Sequence, residues 1–183
     1  MHPFIINRKN RTWRNDNNYD YSLATRRQLL PGRARTILID FDNTIVDFDK
    51  ATRFETVTTF RRNGTKDVLD CLADLKRKKP FDHIVIVTNQ KKMSIKREAL
   101  RSKLDYARQI MEARLKCVVS IVACTSTAAQ KPNCADAISR LPFKYTQMIG
   151  DAGGRHGDYG RQDIDFARAL QIPFLHAEDF LQT

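Results

Sequence analysis

The chain lacks a long hydrophobic run, a Cys-x-x-Cys motif and a Gly-x-x-x-x-Gly-Lys-Ser/Thr motif. A membrane span needs about 20 consecutive apolar residues, so we expect none. Residues 1–10 contain no apolar core of signal-peptide length, so we expect no signal peptide either. The spacing of the four cysteines favours reduced thiols inside a cell. The missing phosphate-binding loop excludes a kinase of the P-loop class.

The residues that are present indicate one globular domain with an excess of basic side chains. The 183 residues, 42% of them hydrophobic, suffice for one well-filled core. The net charge of +11 is concentrated in residues 1–35, with eight basic and two acidic residues, and in residues 90–116, with nine and three. Such segments favour a polyanionic partner, although a basic tail and a solvated helix face explain them equally well.

Apolar runs alternate along the chain with helical patterns, which predicts an α/β fold. The apolar runs predict buried strands at 36–39, 83–87, 117–123, 145–149 and 172–175. The helical patterns start between 63 and 66 and end at 79, and recur at 94–115 with Ser94 as the cap, at 132–140 and at 163–170. The alternation predicts a three-layer, doubly wound parallel sheet over residues 36–183. Residues 1–35 are either a basic arm or an added edge strand.

The first predicted strand runs directly into Asp40-Phe41-Asp42-Asn43-Thr44. Ligands of parallel α/β sheets bind at the carboxyl ends of the strands, where Asp40 is expected to lie. Two carboxylates spaced i, i+2 are able to converge on one cation and one phosphorus atom. Asp40 would then be a nucleophile, and Asp42 would exchange a proton with the leaving oxygen. Taken alone, the motif is also typical of an ordinary turn or helix cap.

Three further strand ends carry residues suited to a phosphate group or a metal ion. The second strand ends at Thr88-Asn89, whose hydroxyl and amide suit phosphate oxygens. After the third strand, Lys131 precedes Pro132, where an ammonium would neutralise a phosphoryl group. The fourth strand ends at Gly150-Asp151, and Arg155 follows as a bidentate phosphate ligand. Each signal alone is also typical of a cap, a surface lysine or a loop, but their order at successive strand ends favours one site.

This order of motifs, Asp-x-Asp-x-Thr, Thr-Asn, Lys-Pro and Gly-Asp, resembles the haloacid dehalogenase (HAD) superfamily of aspartate-nucleophile phosphohydrolases. The match runs from about Thr36 to Phe180. More narrowly, the chain looks like the polynucleotide 3′-phosphatase branch, the phosphatase half of polynucleotide kinase/phosphatase. The narrower resemblance rests on Val87-Thr88-Asn89-Gln90, Gln130-Lys131-Pro132, Gly150-Asp151-Ala152-Gly153-Gly154-Arg155, Asp158-Tyr159, Asp163-x-x-Phe166-Ala167 and residues 172–180.

The resemblance implies a HAD-like, Rossmannoid fold and a role for each motif residue. Asp40 would form the aspartyl-phosphate and bind Mg²⁺, and Asp42 would be the general acid and base with its backbone carbonyl on the metal. Asp151 would complete the protein ligands to Mg²⁺, and Asp158 would be an outer-shell acid at the metal. The phosphoryl group would be held by the catalytic pair Thr88 and Lys131, and the substrate also by Thr44, Asn89 and Arg155.

Two positions depart from the family pattern. Asn43 stands where glycine is usual. Asparagine is tolerated at such a position because it can adopt a positive φ. Gln130 stands where an arginine commonly precedes Lys131, which removes one expected nucleic-acid contact. Only some twenty residues separate Asp40 from the next predicted helix. We therefore expect minimal or no cap and an open site, which suits a large substrate.

The resulting hypothesis is Mg²⁺-dependent hydrolysis of 3′-phosphate ends of DNA in repair, with RNA left open as a substrate. One alternative is a HAD phosphatase for a small molecule or a phosphoprotein. Another is a non-catalytic module that binds nucleic-acid ends, against which the presence of both Asp40 and Asp42 argues. We expect an intracellular protein, with the nucleus favoured and no membrane contact. A kinase or ligase partner would supply the missing activities, and the oligomeric state is left open.

Overall fold

A computed structural model describes residues 14–15, 19–21, 34–47, 60–90 and 93–183, with the backbone alone described before residue 34 and at 93–97. The strands in these ranges are β1 (Arg14–Asn15), β2 (Tyr19–Tyr21), β3 (Arg35–Ile39), β4 (Arg62–Asn63), β5 (Lys66–Asp67), β6 (His83–Asn89), β7 (Val118–Cys124), β8 (Lys144–Gly150) and β9 (Phe174–His176). The helices are α1 (Val68–Lys78), α2 (Met93–Leu115), α3 (Ala135–Ser139), α4 (Gln162–Ala169) and α5 (Ala177–Leu181), with a 3-10 helix at Thr127–Ala129.

The main sheet has the strand order β1-β2-β7-β6-β3-β8-β9, and β4 and β5 form a separate hairpin. The strands from β7 to β9 in this order are parallel, as the alternating sequence pattern predicts, while β1 and β2 add antiparallel to the β7 edge. From β3 the chain proceeds to β6 and β7 on one side and then crosses to β8 on the other. The chain direction therefore reverses beside β3, and ligands of such sheets bind at the carboxyl ends of the strands at this topological switch point.

Helices cover both faces of the parallel sheet, which confirms the three-layer arrangement. Ile37 and Ile39 of β3 belong to the core cluster that includes residues of α1, α2 and α5, whereas Leu38 belongs to the cluster with α3 and α4. These three side chains are at most 3% exposed. Burial of one such side chain stabilises a fold by roughly 1.5–3 kcal/mol. The two clusters therefore hold β3, and the residue that follows it, firmly at the centre of the molecule.

The first predicted helix begins later than expected, because the β4-β5 hairpin occupies residues 62–67. Asp67 is the N-cap of α1: its carboxylate accepts from the backbone N–H groups of Leu69 and Asp70, and the Asp70 carboxylate accepts from the Asp67 N–H. Arg114 of α2 donates to the carboxylates of Asp67 and Asp70 at 2.5 and 2.7 Å. The same two acids therefore start α1 and join it to α2.

Two other helix starts differ from the sequence prediction. β6 continues to Asn89 and α2 begins at Met93, so Ser94 lies inside the helix and is not its cap. The helix predicted from residue 132 is the shorter α3, because residues 131–134 form a turn in which the Ala135 N–H donates to the Pro132 carbonyl at 3.0 Å. The short α5 was not predicted.

Within residues 1–35, β1 and β2 lie antiparallel beside β7 at the edge of the main sheet. The division of the chain into residues 1–35 and 36–183 stays a prediction. The presence of a cap depends partly on residues 48–59, which lie outside the described residues; beside them, Val46 and Phe60 form an antiparallel bridge. In the part of the chain that the structure describes, no helix combines the length and the apolar character needed to cross a bilayer.

The second basic segment lies largely on α2, where several of its arginines are paired with acidic side chains. The pairs are Arg101 with Glu98, Arg108 with Asp105 and Glu112, and Arg114 with Asp67 and Asp70. The charge of these arginines is therefore partly compensated within the fold, and a polyanionic partner for the segment stays a prediction.

Candidate active site

Asp40 directly follows β3 and is held at the sheet edge by its backbone. Its N–H donates to the carbonyl of Ile149 in β8 at 2.9 Å, and the residue is only 7% exposed. The chain then turns back, because the Ile45 N–H donates to the Phe41 carbonyl at 2.9 Å and Asn43 adopts a φ of +56°. The positive φ that glycine would supply is therefore adopted here by asparagine.

Asn43 also contributes a side chain that glycine would lack. Its amide hydrogen-bonds to the Asp151 carboxylate, and its backbone carbonyl accepts from the Arg61 guanidinium. Arg61 also pairs with Glu178 of α5. The departure from the family pattern therefore adds a contact to the site and does not block it.

A buried lysine lies between two carboxylates at the centre of the site. Lys131 Nζ donates to Oδ1 of Asp40 and to Oδ1 of Asp163, both at 2.5 Å, and the lysine is 4% exposed. Its backbone N–H donates to the side-chain oxygen of Asn89 at 2.9 Å. Asn89, at the end of β6, therefore positions the turn that carries Lys131, and charge-assisted hydrogen bonds hold the two acids against the ammonium.

Asp40, Asp151 and Asp163 form an acidic cluster in which ligand oxygens from the three carboxylates lie within 4.8 Å of one another. Asp163, in the first turn of α4, is 1% exposed and its Oδ2 accepts from the Ala152 N–H at 3.0 Å. Gly150 is required beside it, because a Cβ at that position would lie 2.3 Å from Asp163 Oδ2. The absence of a side chain at the end of β8 therefore lets α4 bring its acid into the site.

Burial and charge change the proton affinities of these groups. Burial, opposed by Lys131 and reinforced by Asp163 and Asp151, raises the pKa of Asp40 well above its ordinary value. Burial and the neighbouring Asp163 also raise the pKa of Asp151. Burial alone would lower the pKa of Lys131, but Asp163 and Asp40 outweigh it and raise that pKa. Lys131 is therefore charged at neutral pH, and one ammonium faces three carboxyl groups.

The acidic cluster fits a divalent cation such as Mg²⁺. Magnesium prefers oxygen ligands, and this cluster offers three carboxylates within reach of one position. Because burial of unpaired carboxylates is unfavourable, the excess of negative charge over the one ammonium is the charge that a bound divalent ion would neutralise. Mg²⁺ is also the ion that the sequence resemblance implies.

The Asp42 carboxylate is oriented by two side chains that contact different oxygens. Gln90 Nε2 donates to Asp42 Oδ2 and to Thr88 Oγ1, both at 2.8 Å. Lys103 Nζ of α2 lies 3.9 Å from Asp42 Oδ1 and 5.4 Å from the centroid of the Phe41 ring. Although it is a lysine, Lys103 is only 6% exposed. An amide and an ammonium therefore restrain the second acid of the motif.

The site includes an open cavity of about 360 Å³. Six of the residues assigned from the sequence line it, namely Asp40, Asp42, Thr88, Asn89, Lys131 and Asp151, together with Asn43, Ala152, Tyr159, Gln162 and Asp163. The cavity thus combines the two carboxylates of the Asp40 motif, an ammonium and neutral hydrogen-bonding groups. That combination is suited to phosphoryl transfer to an aspartate.

Residues 35–181 match the family model of polynucleotide kinase 3 phosphatase. The chain belongs to this family. A solved structure described as a HAD-like phosphatase from Mesorhizobium loti is similar, with a TM-score of 0.56 and 16% identity over 84% of this chain and 87% of that one. A universal stress protein from Archaeoglobus fulgidus has a TM-score of 0.48 and 13% identity over 78% and 92%. No curated protein matches the sequence significantly. The family resemblance and the HAD-like fold are therefore confirmed, and the protein is a phosphatase.

In this polynucleotide kinase 3 phosphatase domain, three residues assigned from the sequence do not line the cavity. Thr44 is 1% exposed, and its hydroxyl has no hydrogen-bond partner among the described residues. The Arg155 guanidinium donates to both carboxylate oxygens of Asp179, with Nη1 at 2.9 Å from Oδ1. Asp158 lies outside the acidic cluster, because its carboxylate faces His176, whose Nε2 is 3.2 Å away.

Asp163, Lys103 and Gln90 contact the assigned residues but were not themselves assigned from the sequence. Asp163 belongs to the family motif, but nothing in its spacing distinguishes it from the other acids that follow Asp151. Lys103 falls on the apolar side of α2, where a lysine is unusual and indicates a buried partner. Gln90 follows Thr88-Asn89 directly and reads as an ordinary strand end. In each case the contact depends on packing between separate elements.

Proposed function

We propose that this phosphatase is a Mg²⁺-dependent polynucleotide 3′-phosphatase, which hydrolyses 3′-phosphate ends of DNA through a phosphoaspartate during end repair. The observation that supports this most directly is the buried Asp40–Lys131 pair beside the oriented Asp42 carboxylate in an open cavity. Family membership supports a polynucleotide as the substrate. The short stretch of chain between Asp40 and α1 favours a minimal cap, and a site without a large cap is one that a strand end can enter.

In the first step a carboxylate oxygen of Asp40 attacks phosphorus, and the bond between phosphorus and the 3′ oxygen breaks. Asp42 donates the proton that the leaving 3′ oxygen takes up. Lys131 reduces the repulsion between the Asp40 carboxylate and the phosphoryl oxygens. Thr88 and Asn89, at the end of β6, would bind those oxygens through the Thr88 hydroxyl and the Asn89 amide.

In the second step a water molecule attacks the phosphorus of the phosphoaspartate and gives its proton to Asp42. The bond between phosphorus and the Asp40 oxygen breaks, which releases inorganic phosphate and restores the carboxylate. Asp40, Asp151 and Asp163 would hold Mg²⁺, which when bound stabilises negative charge on the phosphoryl oxygens. The family resemblance implies the Asp42 backbone carbonyl as a further ligand, and this stays part of the proposal.

Phosphate release from a 3′-phosphorylated oligodeoxynucleotide, with and without Mg²⁺, tests the proposal. We expect release only with Mg²⁺, and none from the same strand bearing a 5′-phosphate instead. Asp40→Asn should abolish release while strand binding persists, because the amide is not a nucleophile. Asp136→Asn, which changes an exposed acid of α3, is the matched control and should be fully active. Equal efficiency on a 3′-phosphorylated mononucleotide or a sugar phosphate would contradict the polynucleotide substrate.

The metal assignment is tested with two acids of the same helix. Asp163→Asn should increase the Mg²⁺ concentration required for half-maximal release, because it removes a carboxylate of the acidic cluster. Asp165→Asn, two residues further along α4 and paired with Arg161 and Arg168, should leave that concentration unchanged. An equal effect of both changes would remove Asp163 from the proposed metal site.

A further inference from the structure

Tyr159 is an exposed aromatic side chain that lines the same cavity as Asp40 and Lys131. It is 79% exposed, whereas the large hydrophobic side chains of the described residues are otherwise mostly buried. An aromatic ring stabilises a fold when it is buried, so this ring contributes little to folding in its present position. Its place at the rim of the cavity indicates a contact with whatever enters the cavity.

The loop that carries Tyr159 is held in place by hydrogen bonds of the residues directly before and after Tyr159 in the chain. The neighbouring Asp158 accepts through Oδ2 from the N–H groups of Gly153 and Arg155, at 3.0 and 2.8 Å. The Gly154 N–H donates to the carbonyl of Gly160 at 2.9 Å and closes the loop. Tyr159 is therefore presented from a loop that is already ordered, which reduces the entropy lost when a ligand packs against it.

We propose that Tyr159 is the platform on which the base of the 3′-terminal nucleotide stacks, an assignment that rests on the proposed function. When the 3′-phosphate lies against Asp40 in the cavity, the terminal sugar and base extend toward the rim of the cavity. Of the described residues that line the cavity, all except Ala152 and Tyr159 are polar or charged, and Tyr159 alone has an aromatic ring on which a base can stack. Stacking on an aromatic face tolerates any base, so it recognises a strand end without reading its sequence.

A thermodynamic cycle between the ring and the base tests this contact. The substrates are two 3′-phosphorylated oligodeoxynucleotides that differ only in the terminal nucleotide, which carries a base in one and is abasic in the other. Tyr159→Ala should lower kcat/KM for the base-containing strand by roughly 5- to 150-fold, the range expected from the loss of one stacked base. It should leave kcat/KM for the abasic strand unchanged, since no base is present to lose.

Two control variants separate stacking from other effects of the change. Tyr159→Phe keeps the ring and should retain kcat/KM for both strands. Tyr106→Ala removes the exposed tyrosine of α2, which is 49% exposed and does not line the cavity, and should have no effect on either strand. An equal loss on both strands after Tyr159→Ala would indicate a structural role, and no loss on either strand would show that the ring makes no contact. Both results would overturn the proposal.

Binding provides a readout that does not depend on turnover. An oligonucleotide with 2-aminopurine as the terminal base should lose fluorescence when it binds the Asp40→Asn chain, because stacking quenches that base. The quenching should disappear when Tyr159→Ala is added, and its persistence would overturn the stacking assignment. Failure of the proposed function would instead appear as no phosphate release from either oligonucleotide by the unaltered chain. The two failures are therefore distinguishable.

Discussion

Gln90 joins two residues of the proposed mechanism through one amide group. Its Nε2 contacts the Asp42 carboxylate and the Thr88 hydroxyl, both at 2.8 Å, so it fixes the acid that transfers the proton relative to a group that binds the phosphate. Lys103 contacts the other oxygen of the same carboxylate. The orientation of Asp42 is therefore set by residues that never touch phosphorus themselves.

Gln90→Leu should reduce kcat for a 3′-phosphorylated oligonucleotide by roughly 10-fold or more, a part of the 10²- to 10⁴-fold that a general acid contributes. The loss should be smaller in the first turnover of p-nitrophenyl phosphate, because that leaving group does not require a proton. Stopped-flow measurement of both substrates checks the difference. Lys103→Met should show the same selectivity for the oligonucleotide, and an equal loss on both substrates would contradict a role in orienting Asp42.

At the scale of elements, the sequence predicts where the strands end better than it predicts where the helices begin. Each strand that carries a site residue ends within two residues of its predicted end, because an apolar run that stops at a polar residue reflects burial directly. The helix starts were predicted less well. Asp67 caps α1 with the help of Arg114, which lies 47 positions further along the chain, and no local pattern contains that contact.

Asp67→Ala should lower the free energy of unfolding by about 1–2 kcal/mol, because it removes a helix cap and one partner of Arg114. Urea denaturation measures this change. Asp136→Ala, a change of an exposed acid in the first turn of α3, is the control and should alter the unfolding free energy by less than about 0.5 kcal/mol. Phosphate release should be retained by both variants, and equal stability of the two would show that the capping box contributes nothing.

At the scale of the whole molecule, the buried His83 and the candidate active site lie at opposite ends of strand β6. His83 is the first residue of β6, whereas Thr88 and Asn89 are its last. The His83 ring nitrogens lie 3.2 Å from Thr36 Oγ1 and 2.8 Å from Ser120 Oγ, and burial lowers the pKa of His83 from 6.5 to about 4. The folded protein therefore keeps this imidazole neutral at pH values where an unfolded chain would protonate it.

This difference predicts a loss of stability in mild acid. Above pH 6.5 neither state protonates His83; as the pH falls toward 4, the unfolded state gains a proton that the folded state excludes. The free energy of unfolding should fall by about 2 kcal/mol between pH 7.5 and pH 5, which urea midpoints measure. His83→Gln should weaken this dependence, whereas His156→Gln, at an exposed position, should not. The same pH dependence in both variants would contradict the assignment.

The sequence by itself determined the class of sheet and most of the residues at its functional edge. Apolar runs alternating with helices specify parallel strands, and the carboxyl ends of neighbouring parallel strands necessarily meet, which brings Asp40, Thr88, Lys131 and Asp151 together. Only the tertiary structure decided that Asp163, and not Asp158, joins the acidic cluster, and that Tyr159 faces the cavity while Arg155 does not. These outcomes depend on the path of one loop and on the packing of α4 against β8, which leave no periodic signal in the sequence.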